Sequence, residues 1–253
     1  MKKEEAVLDT ILTISYDMLR AGLEIGTVER AIERMCIDYQ MEEVHVLTIT
    51  SSILVSARAQ DGAIYTQTRR IRDYHTDFTY LKELDGLVRR MIDERMDYKI
   101  AAAELKKLRE QFVRQVTVRT ALREYFVYCF ISFTFSLFFG GSIWDGISSC
   151  ICAVLICSIL YLLKPAVKNK FLVNMAASVA GGAAAVILFR CGLSDSVDKV
   201  IIGNIMLLIP GLATVNAFRD LIGGDTISGL LRLAEALVAA AAIAIGFSMA
   251  FII

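Results

Sequence analysis

Apolar positions along the chain keep one rhythm at first and lose it later. Between residues 4 and 21 they recur every three or four places, at Val7, Ile11, Ile14, Met18 and Ala21, which predicts an amphipathic helix. "RAGLEIG" breaks that helix at Gly22 and Gly26. A second helix follows with an apolar face of Val28, Ile32, Met35 and Tyr39. Thr27 is placed to cap it, and Glu29 falls in its first turn, where the helix dipole favours an acid. Residues 44–57, "VHVLTITSSILVSA", are β-branched and lack a helical period, so they read as a strand. "QDG" gives a turn and "AIYTQTRRI" a second strand, which makes a hairpin. Helical spacing then returns twice, at Phe78, Leu81, Leu84, Val88 and Met91 and at Leu105, Leu108, Phe112 and Val116. The predicted order is α-α-β-β-α-α. Two strands alone are marginal, so they must pack on helices or pair with another chain.

From residue 124 the rhythm gives way to five continuous apolar runs, at about 124–140, 146–163, 171–190, 199–217 and 229–253. Each has the roughly 17–25 residues needed to cross a hydrocarbon core. The pattern therefore predicts an α-helical polytopic membrane protein of five transmembrane helices with an N-terminal α+β cytosolic domain. The division falls at residues 1–123 and 124–253.

Composition sharpens this division. The chain is 56% hydrophobic with a mean hydropathy of +0.55, above the usual range of a soluble domain. Net charge is zero, yet 20 of the 27 basic and 20 of the 27 acidic residues lie before residue 124. The opening "MKKEEAVLDTILTISYDML" sets acids directly after its lysines and spaces its apolar residues, so no cleavable leader is expected. Basic residues alternate along the loops. Lys106, Lys107, Arg109, Arg114, Arg119 and Arg123 precede the first run, and "GGSIWD" has none. "KPAVKNK" has three lysines, "RCGLSDSVDK" is mixed, and Arg219 and Arg232 flank the last loop. By the positive-inside rule the N-terminus is cytoplasmic and the C-terminus outside.

Catalytic chemistry is not indicated. The two histidines, His45 and His75, have no acid at a telling spacing and read as surface or strand residues. Cys129, Cys150, Cys152 and Cys157 lie in apolar runs and Cys36 on a helix, as small buried residues rather than disulfides or ligands. Thr48, Thr50, Ser51 and Ser52 fit strand propensity. "RRIRD" at 69–73 is a short basic patch, a solvated face or a seat for headgroups or an anionic ligand. No nucleophile–base pair, metal cluster or phosphate loop is recognisable, so neither an enzyme nor a cofactor or metal is expected. No nucleic-acid partner is expected either.

The polar residues inside the apolar half are the candidates for function. Ala177, Gly181 and Ala185 form a ladder of small residues with Ser178 and Gly182 alongside, and Ala236, Ala240, Ala244 and Ser248 form another. Such ladders let helices approach closely. Asn174 and Asn204 are amides within the runs and need partners or water. Pro210 removes a backbone donor from the fourth run, Gly211 loosens it, and Asn216 follows. Broken helices of this kind occur at the substrate sites of secondary transporters. Arg219, Asp220, Asp225, Arg232 and Glu235 then sit between two apolar stretches, with Asp225 or Thr226 as a cap for the last helix. Arg232 and Glu235 lie early in that helix and must face protein or water. Together these ten residues outline a polar pathway.

"GNIMLLIPGLATVNAFRDLIGGDTISGLLRLAEALVAAAAIAIG" resembles the signature of the threonine/serine exporter family. "MLRAGLEIGTVERAIERMC" with "VHVLTITSSILVSA" resembles that family's cytosolic region. The resemblance spans nearly the whole chain and corresponds to the first of the family's two homology regions. It implies a cell-membrane protein of the bacterial inner membrane, and export of threonine and serine, or in some members dicarboxylates such as succinate, driven by the proton-motive force. It also implies a separate, smaller membrane partner subunit and a homo- or hetero-oligomer in the lipid bilayer. A zwitterionic amino acid could meet Arg219 or Arg232 with its carboxylate and Asp220 or Glu235 with its ammonium. A dicarboxylate would need two cations or helix N-termini. Glu235 is the first candidate for a titratable acid at depth, ahead of Asp145 near the outer surface. The competing reading is a membrane-anchored metabolite sensor.

Overall fold

A computed structural model describes residues 3–72, 74, 76–114, 118–167 and 169–252, the side chains of 113, 114 and 118–121 excepted. His75, Val116, Asp73 and Lys168, named above, lie outside the described residues. The chain divides into two compact units. Unit 1 holds Met1–Gln115 with Val215–Arg232, and unit 2 holds Val116–Thr214 with Leu233–Ile253.

Unit 1 comprises α1 (Lys3–Arg20), α2 (Ile25–Asp38), β1 (Glu42–Ile49), β2 (Ser52–Arg58), β3 (Ile64–Arg70), α3 (Phe78–Asp93) and α4 (Tyr98–Arg114). It also takes in most of α9 (Gly211–Gly223) and the first turns of α10 (Thr226–Ala250). Helix α1 is its centre. Leu8, Leu12 and Leu19 are buried together with Val7, Ile11, Ile14 and Met18, because α2, α3, α4, β2 and β3 all pack on it. The helix stops at Gly22, whose φ of +98° is left-handed. Gly22 N bonds Leu19 O and Leu23 N bonds Met18 O, the paired bonds that close a helix on a glycine.

Gly26 does not break the chain but lies inside α2, which starts at Ile25. Thr27 does not cap it. The cap residue is Glu24, without a side-chain bond, and Thr27 Oγ1 accepts from Arg30 Nη2 at 2.8 Å. Glu29 Oε1 accepts from the Thr48 backbone N–H at 2.7 Å, tying α2 to β1. Burial pushes its carboxyl above the usual range, and the Thr48 hydrogen bond opposes that.

The sheet has three antiparallel strands in the order β1-β2-β3, one more than the hairpin expected. Residues 44–57 are not one strand. They fold back at Thr50–Ser51, pairing Ile49 with Ser52 and Thr48 with Ile53. Ile53, Val55 and Ala57 turn inward to α1 and its neighbours, while Leu54 and Ser56 face out. The second turn carries Asp61 and Gly62, the latter at φ +80°.

Asp17 of α1 is buried, and its carboxylate receives three bonds. Arg109 of α4 donates from Nε at 2.6 Å and Nη2 at 2.9 Å, and Tyr80 of α3 donates its hydroxyl at 2.5 Å. One carboxylate thereby joins three helices. Burial and the Asp17 bond drive the Tyr80 phenol well above its ordinary value.

Unit 2 contains α5 (Val118–Phe138), α6 (Ile143–Leu163), α7 (Lys170–Arg190), α8 (Val197–Leu208) and the rest of α10. By length and composition α6, α7 and α10 can each cross a membrane, and α8 with α9 makes a fourth, bent by 51°. The structure thus supports three or four spans where the sequence pattern gave five. Helix α5 has Arg123 and Glu124 in its first two turns. Helix α8 alone, at 12 residues, is only about 18 Å long.

Close helix contacts in unit 2 run through glycine. A Cβ on Gly181 would stand 2.6 Å from Ile156 Cδ1 of α6, and one on Gly182 2.5 Å from Ala250 Cβ of α10. A Cβ on Gly246 would stand 2.5 Å from Ser178 Cβ and 2.7 Å from Met175 O. The α7 ladder of Ala177, Gly181 and Ala185 is buried as its spacing predicts. On α10, however, Ala244 and Ser248 are exposed, and the packed face is Ile243, Gly246, Phe247 and Ala250. Phe247 and Ile243 supply area that the alanines lack.

Because the α7 backbone cannot yield to a side chain at residue 246, Gly246→Val is expected to cost about 1–3 kcal/mol. It should lower the thermal midpoint of the detergent-solubilised protein. Gly86→Ala, with open space around it in α3, should leave that midpoint unchanged or raise it.

Candidate functional site

Unit 2 has a buried polar knot where α5, α6 and α8 meet. Ser132 Oγ lies 2.8 Å from Ser149 Oγ and 3.2 Å from Ser149 O. Ser149 Oγ donates to Val200 O at 3.3 Å. Asn204 Nδ2 donates to Val200 O at 2.9 Å and to Ser149 Oγ at 3.1 Å. Since Val200 O can only accept, this fixes which end of the amide faces it. Two atoms are left over. Asn204 Oδ1 and Ser136 Oγ are buried without a hydrogen-bond partner among the described residues. Such groups are costly and call for an explanation, a bound ligand or water being one.

Gly203 makes the knot. A Cβ there would lie 2.6 Å from Ser132 O and 2.7 Å from Ser149 Oγ, so any side chain would push α8 off α5 and α6. Four residues after Asn204 the helix ends. Ile209 turns to an extended backbone (φ −56°, ψ 128°), and the chain restarts at Gly211. Thr214 restores one lost bond by donating both its N–H and its hydroxyl to Pro210 O, each at 3.0 Å.

Asp145 has a different task. Its Oδ2 accepts from Ser142 N at 2.8 Å, and its Oδ1 from Asp195 N at 2.8 Å and Ser196 N at 2.9 Å. One carboxylate therefore caps α6 and holds the turn that starts α8. Ser148 Oγ adds a bond to Leu193 O at 2.9 Å.

The charged elbow between α9 and α10 belongs to unit 1. Asp220 is 1% exposed, and its carboxylate lies 3.1 Å from Arg232 Nη1. Arg232 also sits 5.9 Å from the centre of the Tyr74 ring, over its face. Arg219 is exposed, 3.8 Å from Glu24. Asp225 is half-buried; its carboxylate lies 3.6 Å from where a Gly26 Cβ would stand. The elbow thus meets α2 at its first turn. Arg232 pairs with Asp220 rather than with Glu235, which is exposed and has no ion-pair partner among the described residues.

The ten sequence candidates are therefore dispersed. Asn204 is in the knot, and Pro210 and Gly211 form the break beyond it. Asn174 and Asn216 are half-buried without hydrogen bonds among the described residues. Arg219, Asp220, Asp225 and Arg232 gather in unit 1, and Glu235 stands in unit 2. Sequence reasoning missed Ser132, Ser136 and Ser149. The available signal was a pair of serines four places apart in the apolar "CFISFTFSLF", with a double serine in "GISSCIC".

Three helices long and apolar enough to cross a membrane, with a fourth, broken pair, joined to a charged α+β unit, mark a multi-pass membrane protein. The chain belongs to the ThrE family, described as "Putative threonine/serine exporter", whose model matches residues 9–253. No individual curated protein and no solved structure matches it.

Arg232→Leu should strip the buried Asp220 of its cation and cost about 3–5 kcal/mol. The double variant Asp220→Leu/Arg232→Leu should recover most of that loss, read from thermal unfolding of the full chain.

Proposed function

We propose that the chain is one subunit of a secondary exporter of threonine and serine, not an enzyme. It works with a separate small membrane subunit and is driven by the proton-motive force. The observation that carries this reading is the orphan Asn204 Oδ1, with Ser136 Oγ a second orphan against neighbouring Gly203, ahead of the helix break at Pro210. A hydroxyl and amide lining without a fixed cation suits a hydroxylated zwitterion better than a dicarboxylate, which would need two positive partners. In this reading α5 is the fifth span, its Arg123 and Glu124 sitting at the interface. The N-terminus is cytoplasmic, the C-terminus is outside, and the membrane is the bacterial inner membrane. Glu235 is the acid that takes the coupling proton.

Transport into proteoliposomes with an imposed pH gradient tests the proposal. Labelled threonine and serine should move and succinate should not, and flux should need the partner subunit. Ser136→Ala removes a hydroxyl without a partner, so it should leave folding intact and lower flux several-fold; Asn204→Leu should abolish it. Wild-type flux in both variants would remove the knot from the pathway. Glu235→Gln should abolish the response to the pH gradient while the protein still reaches the membrane.

A further inference from the structure

Unit 1 holds a cavity of about 510 Å³ at the seam of α1, β3 and α4, lined by Thr13, Tyr16, Thr68, Arg69, Arg70 and Arg109. Three arginines are among its lining residues, and no acid is. Two of the three are held from outside the lining. Arg69 is bound to Asp9 and reaches Thr13 Oγ1 at 3.5 Å, and Arg109 is bound through Nε and Nη2 to Asp17. This leaves Nη1 of Arg109 without an acceptor among the described residues. Arg70 is exposed and pairs with no acid among them. Two carboxylates against three guanidiniums leave a net positive charge.

We propose that this cavity binds a phosphoryl group, carried by a soluble molecule of nucleotide size or by a lipid headgroup. The inference is independent of the transport reading. Guanidinium forks match phosphate oxygens in pairs. The Asp9 and Asp17 contacts fix two of the forks before a ligand arrives, which removes part of the ordering cost of binding. The three arginines line one concavity of the size that holds small ligands. The Asp17 node also gives a reason for its own burial, because a buried ion pair is weak evidence for stability alone. It sets Arg109 at the cavity.

Titration calorimetry of the full chain in nanodiscs, with inorganic pyrophosphate and with ATP as probes, tests this. At least one probe should bind with sub-millimolar affinity that weakens as salt is raised. Arg70→Gln should weaken binding by tenfold or more, with the ligand-free thermal midpoint unchanged. Arg34→Gln, an exposed arginine outside the cavity, should have no effect. Equal binding in phosphatidylcholine and phosphatidylglycerol discs assigns a soluble ligand. Binding in phosphatidylcholine discs that is lost in phosphatidylglycerol discs assigns the headgroup. No binding in either disc, or equal losses in Arg34→Gln and Arg70→Gln, overturns the proposal.

Discussion

Gly203 is the point on which the membrane unit turns. Its missing side chain lets α8 lie against the backbone of α5, where a Cβ would come within 2.6 Å of Ser132 O. Only at that separation can Asn204, the next residue, reach Ser149 and share it with Ser132. The same approach explains why α8 can be so short. The Asn204 amide N–H group reaches sideways to Ser149 of α6, and the Asp145 carboxylate holds the turn at the start of α8. Backbone freed at its other end is tolerated at membrane depth only beside protein or a wet cavity.

Unit 1 applies a different solution to the same problem of dry polar groups. Asp17 and Asp220 are both buried, and each has an arginine that touches it. Asp17 adds the Tyr80 hydroxyl and is fully engaged. Asp220 has Arg232 as its ion-pair partner and the Ile25 backbone at the start of α2 nearby, with no side-chain hydrogen bond among the described residues. The two pairs therefore differ in kind. The first is a node between helices with its ligands complete, and the second is a thinner contact that depends on α9 and α10 meeting α2.

Much of this was legible in the sequence. The helical spacing of α1 to α4, the small-residue face of α7 and the break at Pro210 fall where the pattern puts them. Where the reading failed, a local rule was overridden by packing. The turn at Thr50–Ser51 has no Gly, Pro or Asn to announce it, so β1 and β2 looked like one strand. Thr27 had the chemistry of a cap, but α2 begins three residues before such a cap would start it, with Glu24 at the cap position beside Arg219. Serines 132, 136 and 149 looked like ordinary small residues in apolar runs. Their role comes from α8, and their spacing within the apolar runs is the one trace of it in the sequence.

The placement of the elbow changes what the transport reading must accomplish. Four of the five charges that seemed to line a passage are held within unit 1, and the two buried ones neutralise each other. What remains for a solute in unit 2 is a set of hydroxyl and amide groups around Asn204. Such a set discriminates by hydrogen bonds, and a site built that way penalises an analogue lacking the matching hydroxyl or amine, because its own groups are then left unpaired. Selection and coupling would then be separate. The knot would read the solute, and the proton would be taken by an acid elsewhere, with Glu235 the one carboxylate of α10. A single acid bearing both duties would have to bind the solute's ammonium and a proton in turn, and no acid of the knot is there to do so.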